Sequence, residues 1–529
     1  MGESFSAPPS PPMNYLVAFI PVTAAFLFVL ISRHRRSTIR HVPGPPSTSW
    51  IFGNMLQLIL PPQHGDYEYS WLNLYGSVYR FKGCFGKDKL MVADPTALKH
   101  MVNSPDFVLG PTLDILVQCL FGERSVMSRE GTDYQRLRAR LNPGFTAAAV
   151  RSYQPIFEKV AQGITEKLEH ESDSFSTDIC ALFNFAAFDA ISEVVLGCPT
   201  ADLDPKFVKT NLEVSHLTLT QSASAILGDA LLGILPPSLR HKLLRNLPTK
   251  GLRVLHAQRA LATEAGARAV CEKRDLLAKG GDVTEDVFTL LVDSVSTGAL
   301  GFEDISGQTS LLMLAGGETT ANTLAFGLFE LARDPELQQR LRVEIQDALG
   351  TTTDRTNISY DNLPLLNAVI KESLRMYPAL PFPERVATTD TVIHLSHEIT
   401  LTNGQRVKQI PIRKGQVIMT GIGSFQRMEE IWGRDAHKFR PGRWLDGSMR
   451  SAEAVGPFAN LLSFSGGART CLGWRFAVLE MQVILFELLS KFSFTLPAGH
   501  FHRIRFVGVL QPLDEKGDKR LSLCVKRIL

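Results

Sequence analysis

A cysteine placed among three glycines and an arginine is the most distinctive chemical feature of the sequence. The stretch FSGGARTCLG begins at Phe464 and places Gly467, Arg469, Cys471 and Gly473 at fixed intervals. A thiol has an ordinary pKa of about 8.5, and it acts as a nucleophile or metal ligand only as the thiolate. Glycines let backbone N–H groups approach the sulfur and stabilise that anion. The spacing alone leaves three possibilities open for Cys471, namely a reactive thiol, a disulfide partner or a metal ligand.

A glycine pair followed by an acid and two hydroxyls interrupts an otherwise apolar helical segment. The stretch LAGGETTANT contains Gly316 and Gly317, then Glu318, Thr319 and Thr320. Each glycine in a helix interior costs about 1 kcal/mol relative to alanine. One interpretation is a groove in which Glu318 and Thr319 hold a small polar ligand and relay protons. The other is a close contact between two helices, with a threonine hydroxyl bonded to a backbone carbonyl.

Two further stretches carry charges that could form a supporting ion network. KESLRMYP places Glu372 and Arg375 one helical turn apart, and FRPGRW places Arg443 in a loop rich in proline and aromatic residues. Glutamate and arginine at this spacing usually form a modest exposed ion pair. Glu330 and Arg333 have the same spacing, and we interpret them as such an exposed pair.

A basic helix is predicted where GTDYQRLRARLNPGF places Arg136, Arg138 and Arg140 close together. Such a face usually contacts solvent. The sharper interpretation is that Arg138 binds an anion.

The composition excludes several common kinds of site. The chain of 529 residues is 44% hydrophobic and 21% charged, as expected of a globular protein with a large core. Its formal net charge of +3 is too small to suggest nucleic acid as a partner. The seven cysteines show no paired spacing, which argues against a disulfide framework and for a reducing compartment. The zinc-protease, phosphate-loop and serine-hydrolase patterns are absent from the sequence.

An uncharged apolar run near the N terminus is followed by a cluster of arginines. Residues 13–31 have the length that a helix needs to span a bilayer. Four arginines between positions 33 and 40 place the rest of the chain in the cytosol by the positive-inside rule. A cleaved signal peptide would instead carry its positive charge before the apolar run. We therefore predict a luminal tail over residues 1–12 and a transmembrane anchor over residues 13–31.

The rest of the chain is predicted to form one large domain, over residues 47–529, behind a basic and proline-rich hinge at residues 32–46. The hinge contains VPGPP, which is either an ordinary linker or a stiff spacer that orients the domain against the membrane. The residue patterns predict strands near residues 76–83 and 89–94 and within 391–420, and helices over most of 131–350. The expected fold class is mainly α with small β-sheets (α+β).

The spacing FxxGxRxCxG resembles the haem-binding loop of the cytochrome P-450 monooxygenases. AGGETT then resembles the oxygen-binding helix motif of that family, ESLR its ExxR motif, and FRPGRW its arginine-bearing loop before the haem. The motifs stand in the family's order and spacing, and the anchor and proline hinge resemble those of membrane-bound members. The general run of the sequence, including GDYEYSWLNLYGSVYRFKGCFG, resembles fungal members of secondary metabolism. The resemblance implies the cytochrome P-450 fold.

The resemblance also implies which residues bind the cofactor, haem b (iron protoporphyrin IX). Cys471 would be the axial thiolate ligand of the iron, and Phe464 would shield it from water. The remaining implied cofactor-binding residues are Gly467, Gly473, Arg469, Arg138, Arg385 (in PERVA) and Tyr134. The three arginines would neutralise the haem propionates. Tyr134 stands where a haem-contacting tryptophan or histidine is frequent in the family.

By the same resemblance, Glu318 and Thr319 are the acid–alcohol pair that delivers protons during oxygen activation. Glu372, Arg375 and Arg443 would form a buried charge network that supports the cysteine side of the haem, and their role would be structural.

External electrons are implied because the sequence has no flavin or dinucleotide fingerprint. The expected donor is a membrane-bound NADPH–cytochrome P-450 reductase, docking through basic residues such as Arg434 and Lys438. Membrane lipid is a further expected partner, and nucleic acid is not. The expected location is the endoplasmic reticulum membrane, with a single span and the catalytic domain in the cytosol.

Four apolar stretches are expected to line the substrate pocket, namely Leu113 to Leu120, the helices on either side of GILPPSL, Leu380 to Phe382, and Val507 to Leu510. They predict an apolar substrate, with a terpenoid or similar polycyclic natural product as the best class. LPPSLRHKLLRNLP places Arg240, Lys242 and Arg245 among leucines. This helix either presents a solvated face or makes a second membrane contact.

Three functions remain compatible with these residues. The first is a monooxygenase that uses O2 and NADPH-derived electrons. The second is a thiolate-haem isomerase or dehydratase that needs no external electrons, and the third is a haem-binding sensor without catalysis. Glu318 and Thr319 favour the first, because the second needs no proton relay to dioxygen.

Overall fold

The computed structural model describes residues 37–170, 174–218, 221–280, 286–296, 301–351, 358–447, 455–500 and 502–528. The predicted luminal tail and transmembrane anchor lie outside the described residues, as does the first part of the hinge. Helices predominate over four small sheets in the described ranges, so the mainly α prediction is confirmed.

The helices of the described ranges are numbered in chain order. They are α1 (Met55–Ile59), α2 (Glu68–Tyr75), α3 (Pro95–Asn103), α4 (Pro111–Leu120), α5 (Gly131–Leu141), α6 (Ala147–Ser152), α7 (Gln154–Glu169), α8 (Ile179–Leu196), α9 (Pro205–Thr218), α10 (Ala223–Leu232), α11 (Pro237–Asn246), α12 (Lys250–Ala278), α13 (Val287–Ser296), α14 (Phe302–Ser306), α15 (Thr309–Arg333), α16 (Pro335–Thr351), α17 (Pro364–Met376), α18 (Ile422–Phe425), α19 (Glu429–Trp432) and α20 (Trp474–Lys491).

The strands lie near both ends of the chain, away from most of the long helices. They are β1 (Val78–Lys82), β2 (Asp88–Val92), β3 (Phe107–Leu109), β4 (Ser174–Asp178), β5 (Glu384–Ala387), β6 (Thr391–Thr400), β7 (Arg406–Ile412), β8 (Val417–Thr420), β9 (Phe492–Thr495), β10 (Arg503–Val507), β11 (Val509–Leu513) and β12 (Ser522–Arg527). One sheet has the order β1-β2-β8-β5-β3, and β12 lies between β4 and β9. β6 pairs with β7, and β10 pairs with β11. The strands predicted from the sequence are confirmed.

The long helix α15 runs through the core and positions the GGETT motif. It is buried along most of its length and packs mainly against α8. A Cβ atom on Gly316 would lie 2.6 Å from Cγ1 of Ile191 in α8, so this glycine permits the close approach of the two helices. The glycine pair was interpreted either as a ligand groove or as a close contact between two helices. The helix contact is the interpretation that applies to Gly316.

Among the described residues, α8 is the one helix long and apolar enough to cross a membrane. The structure buries 72% of that helix inside the protein, where it faces α15 and α7. Its apolar composition is thus explained by core packing.

The described part of the hinge packs on the domain. Ile39 and Val42 are buried in the main core, and the Pro43 carbonyl accepts a hydrogen bond from the Arg80 backbone N–H at 2.9 Å. A Cβ on Gly44 would lie 1.7 Å from the Arg80 carbonyl oxygen, so only glycine permits this contact with β1. Residues 39–44 therefore belong to the folded unit and do not stand away from it as a free spacer.

Candidate active site

The cysteine loop is a tight turn that ends where α20 begins. The Cys471 backbone N–H donates to the Phe464 carbonyl at 2.8 Å and closes the loop. Gly467 has a φ angle of +62°, and a Cβ there would lie 2.1 Å from the carbonyl oxygen of Val102 in α3. Position 467 therefore requires glycine for two reasons, its left-handed backbone and its contact with α3.

The Cys471 sulfur lies in a setting that both opposes and supports a negative charge. Burial raises the pKa of the Cys471 thiol. Two neighbours act in the opposite direction and lower this pKa, the Gly473 backbone N–H, which donates to the sulfur, and the nearby Arg138 charge. The first turn of α20 adds the positive end of a helix dipole. The Cys471 side chain nevertheless has accessible surface.

Aromatic rings surround the cysteine loop. Phe464 is buried, and its ring centroid lies 6.3 Å from that of Phe458 and 6.4 Å from that of Trp474. Phe464 is therefore buried among aromatic neighbours on the cysteine loop, and its shielding of the sulfur stays a prediction.

Three predicted arginines gather beside the loop with Tyr134. The Arg469 guanidinium lies 3.7 Å from the Tyr134 ring centroid and donates to the Arg129 carbonyl at 2.6 Å. Burial, together with the Arg469 charge, lowers the pKa of Arg385 to about 10. The Arg138 Nε donates to Asn142 Oδ1 at 3.0 Å.

Tyr134 is bound to the cysteine loop itself. Its hydroxyl donates to the carbonyl of Ala468 at 2.6 Å, while its ring supports Arg469 by a cation–π contact. The structure therefore places Tyr134 as a brace for the loop and its arginine.

The predicted buried network is centred on the Glu372 carboxylate. Arg375 donates to it through Nε and Nη2 at 2.9 and 2.8 Å, and Arg443 donates through Nε at 2.9 Å. The Arg440 backbone N–H and the Trp444 indole complete the set at 2.8 and 3.0 Å. Burial alone would raise the pKa of Glu372, but the Arg375 hydrogen bonds and the neighbouring positive charges hold it below its ordinary value.

This network joins α17 to the segment before the cysteine loop. Arg375 donates to the carbonyls of Gln426 and Ala436 at 2.7 Å, and Arg443 to the carbonyl of Trp432 at 2.5 Å. Trp444 was not predicted as a member of this network, although its position next to Arg443 in FRPGRW was an available signal.

Glu318 and Thr319 lie on α15 but make separate contacts. The Thr319 hydroxyl donates to the Ala315 carbonyl at 2.9 Å, one turn back. Glu318 accepts a hydrogen bond from Lys519 at 2.9 Å, and this lysine also donates to Asn184 of α8 at 3.2 Å. No hydrogen bond or ion pair joins either residue to the cysteine loop in the described part of the chain. No local signal indicated Lys519, which stands 201 residues from Glu318.

Comparison with known proteins shows the family to which a chain with this site belongs. The family model described as Cytochrome P450 matches residues 43–513. The chain belongs to the cytochrome P450 family. It is 29% identical over 494 residues to Cytochrome P450 monooxygenase 91 of Postia placenta, covering 88% of this chain and 90% of the relative. It is similarly related to two monooxygenases of Ampulloclitocybe clavipes, claW (29% over 497 residues, 90% of each chain) and claQ (30% over 497 residues, 91% of each chain). The protein is accordingly an oxidoreductase of the monooxygenase class.

Cytochrome P450 proteins use haem, and the residues of this site fit that group. A haem needs one axial donor to its iron and positive charge for its two carboxylates. Cys471 offers the donor, and within the described ranges Arg138, Arg385 and Arg469 form no ion pair with a protein carboxylate. When bound, haem supplies the iron at which dioxygen is activated.

A large cavity lies beside this P450 site. Its volume is about 2120 Å³, and all four apolar stretches predicted to line the substrate pocket contribute to its wall. Among them are Leu116 of α4, Ile234 after α10, Phe382 and Val507. Neither Cys471 nor Thr319 is among the lining residues, and the cavity approaches the site through Glu384, the chain neighbour of Arg385.

The Glu330–Arg333 pair differs from its interpretation as an ordinary exposed ion pair. Arg333 is half exposed, but the Glu330 side chain is 7% exposed and also accepts a hydrogen bond from the Tyr377 hydroxyl. Burial raises the pKa of Glu330 despite these partners. The prediction was wrong because the spacing on one helix does not reveal that Tyr377 packs over the pair.

Replacement of Glu372 by Gln should destabilise this P450 strongly, because it leaves Arg375 buried without its counter-charge and Arg443 paired only with Asp435. We expect the free energy of unfolding to fall by about 3–5 kcal/mol in chemical denaturation. The matched control is Glu398→Gln, which breaks an exposed pair with Arg406 and should cost no more than about 1 kcal/mol. Equal losses in the two variants would contradict the role given to the Glu372 network.

Proposed function

We propose that this P450 hydroxylates or further oxidises an apolar natural product, a terpenoid or similar polycyclic compound, in fungal secondary metabolism. Electrons would come from NADPH through a cytochrome P-450 reductase. The observation that carries the proposal is the Cys471 sulfur, supported by the Gly473 N–H and accompanied by arginines that lack carboxylate partners among the described residues. This set of groups suits a thiolate donor beside a dianionic cofactor.

The proton-handling groups favour oxidation over the isomerase or dehydratase alternative. Glu318 and the Thr319 hydroxyl are adjacent on α15, and Glu318 is held by Lys519 in a partly buried setting. A reaction without dioxygen would not need an acid and a hydroxyl together at this point of the helix. We assign Glu318 as the proton source and Thr319 as the group that passes the proton into the site.

The cavity supports an apolar substrate. Leucine, isoleucine and phenylalanine side chains form much of its wall, and Trp50 and Ile234 are exposed where it meets the surface. Lys89, Asp229 and Glu384 add a charged part. Burial, and then the Glu384 charge, raise the pKa of Asp229 to about 6. A largely apolar molecule with few polar substituents fits this lining best.

A reductase could dock near the Glu372 network. Arg434 and Lys438 are exposed, and the Lys438 carbonyl accepts hydrogen bonds from the buried Arg375 and Arg443. Positive charge on a rigid part of the cysteine side is suited to an acidic electron donor.

An exposed apolar rim, which meets the cavity lining at Trp50, Ile234 and Leu247, supports contact with a membrane. We define this rim as Trp50, Ile234, Leu239, Leu243 and Leu247, which are all exposed. The three leucines are spaced four residues apart along α11 and its end, so they share one face.

Two residues expected to take part in that contact do not face outward. Arg240 is buried and paired with Asp114 of α4, and Leu244 is buried against Ile115 and Cys119. They attach α11 to α4, so a membrane contact would use the rim residues instead.

Thr319→Ala should lower the yield of oxidised product per NADPH consumed by about tenfold or more, because a proton donor is lost. The measurement uses the full chain with reductase, terpenoid scaffolds and mass analysis of products. Thr323→Ala is the matched control, since its hydroxyl makes the same bond one turn later, to the Thr319 carbonyl at 2.9 Å. Turnover that continues without reductase would instead support the isomerase or dehydratase.

Leu239→Glu with Leu243→Glu should weaken liposome binding of a form beginning at residue 37 by roughly tenfold, because two exposed apolar side chains are removed from the rim. The control is Leu276→Glu with Leu277→Glu, two exposed leucines at the end of α12. Unchanged binding in the rim variant, or the same loss in both, would exclude the rim as the membrane contact.

A further inference from the structure

A polar cluster occupies the junction of α8, α15 and the C-terminal segment. Glu318 and Asn322 are four residues apart and share one face of α15. Lys519 pairs with Glu318 at 2.9 Å, and the side chains are 5% and 17% exposed respectively. The Asn322 Nδ2 donates to the carbonyl of Leu510 in β11 at 3.1 Å. These contacts bring α15, Lys519 and β11 to one place.

The strand register adds Gln511 to this cluster. Lys519 lies opposite Leu513 in an isolated antiparallel bridge. Residues directly opposite in such a bridge project to the same face, and so do residues two apart on one strand. Gln511 therefore projects to the same face as Lys519, whose side chain reaches Glu318.

Two amide side chains of the cluster have unsatisfied hydrogen-bonding groups. Gln511 is fully buried, and neither its Oε1 nor its Nε2 has a protein partner among the described residues. Asn322 is 3% exposed, and its Oδ1 is also unpaired within the described ranges. A buried polar group without a partner costs about 1–3 kcal/mol. An occupant that both donates and accepts hydrogen bonds would remove this cost.

Water is the occupant that this chemistry fits. Buried water usually forms about three hydrogen bonds to buried polar groups that otherwise lack partners. Here an amide donor and two amide acceptors are available beside a carboxylate and an ammonium group. A metal ion is a poorer match, because Lys519 already neutralises the one carboxylate.

We propose that ordered water binds among Asn322, Gln511 and the Glu318–Lys519 pair, and that Gln511 and Lys519 are positioning residues for proton delivery by Glu318. This inference rests on the proposed function, which gives Glu318 the role of proton source. The Glu318 carboxylate, ionised in its pair with Lys519, accepts a proton from the bound water and passes it to the Thr319 hydroxyl, which releases its own proton into the site. That water in turn takes a proton from bulk solvent, so the cluster is unchanged after a full cycle.

Lys519 fixes the direction of the Glu318 carboxylate. Its ammonium group is held on its other side by Asn184 of α8, at 3.2 Å. The ion pair therefore ties the acid to two elements outside its own helix. Without it, the Glu318 side chain would be free to change rotamer and leave the water.

Gln511→Leu and Lys519→Met test the inference, with Lys516→Met as the matched control in the exposed turn before Lys519. Leucine is close to glutamine in size and brings no polar group that would need a partner, so the Gln511→Leu variant should still fold. We expect a crystal structure of the haem-loaded parent to show water bound to the Gln511 amide, and the Gln511→Leu structure to lack it. Product per NADPH should fall by about tenfold in both cluster variants, with more hydrogen peroxide released. Lys519→Arg should restore most of the yield.

Two results would overturn the inference. The first is a parent structure in which the Gln511 amide binds only protein groups. The second is a product yield in Gln511→Leu equal to that of Lys516→Met. The water site is decided by crystallography whether or not any substrate is oxidised. Failure of the proposed function would show differently, as absence of product from the parent enzyme itself.

Discussion

The proposed active site depends on stabilising a negative charge on the Cys471 sulfur. Burial of Cys471 raises the pKa of its thiol, so the loop must supply compensation at short range. The Gly473 N–H, the Arg138 charge and the start of α20 all provide it. Gly467 makes the geometry possible, since its backbone conformation and its contact with Val102 exclude a side chain. Tyr134 and the closing hydrogen bond between Cys471 and Phe464 then hold the loop in place.

The same physics applies to the network behind the loop, where a second buried anion is compensated at short range. Glu372 is a fully buried carboxylate that accepts hydrogen bonds from two arginines, an indole and a backbone N–H. Because each arginine also binds backbone carbonyls, the network fastens α17 to the segment that precedes the cysteine loop. Removing one partner of such a network leaves buried charge uncompensated, so its members behave as one unit.

Much of the site could be predicted because its motifs are local. The cysteine loop, the GGETT helix and the ExxR pair each lie within ten residues, and the structure brings Tyr134 and the three arginines to the loop. Partners distant in sequence could not be predicted. Lys519 reaches Glu318 from the C-terminal turn, Tyr377 covers Glu330, and Asp114 draws Arg240 out of the exposed face of α11. In each case a tertiary contact decides whether a charged side chain faces water. The local periodicity of the sequence carries no information on such contacts.

The most direct test of the thiolate at position 471 is the spectrum of the reduced, CO-bound haem protein, compared between the parent and Cys471→Ser. The account predicts a thiolate-type Soret shift in the parent, its loss in Cys471→Ser, and its retention in Cys271→Ser, since Cys271 lies on α12, outside the loop. A parent that binds no haem, or a Cys471→Ser variant that keeps the shift, would contradict it.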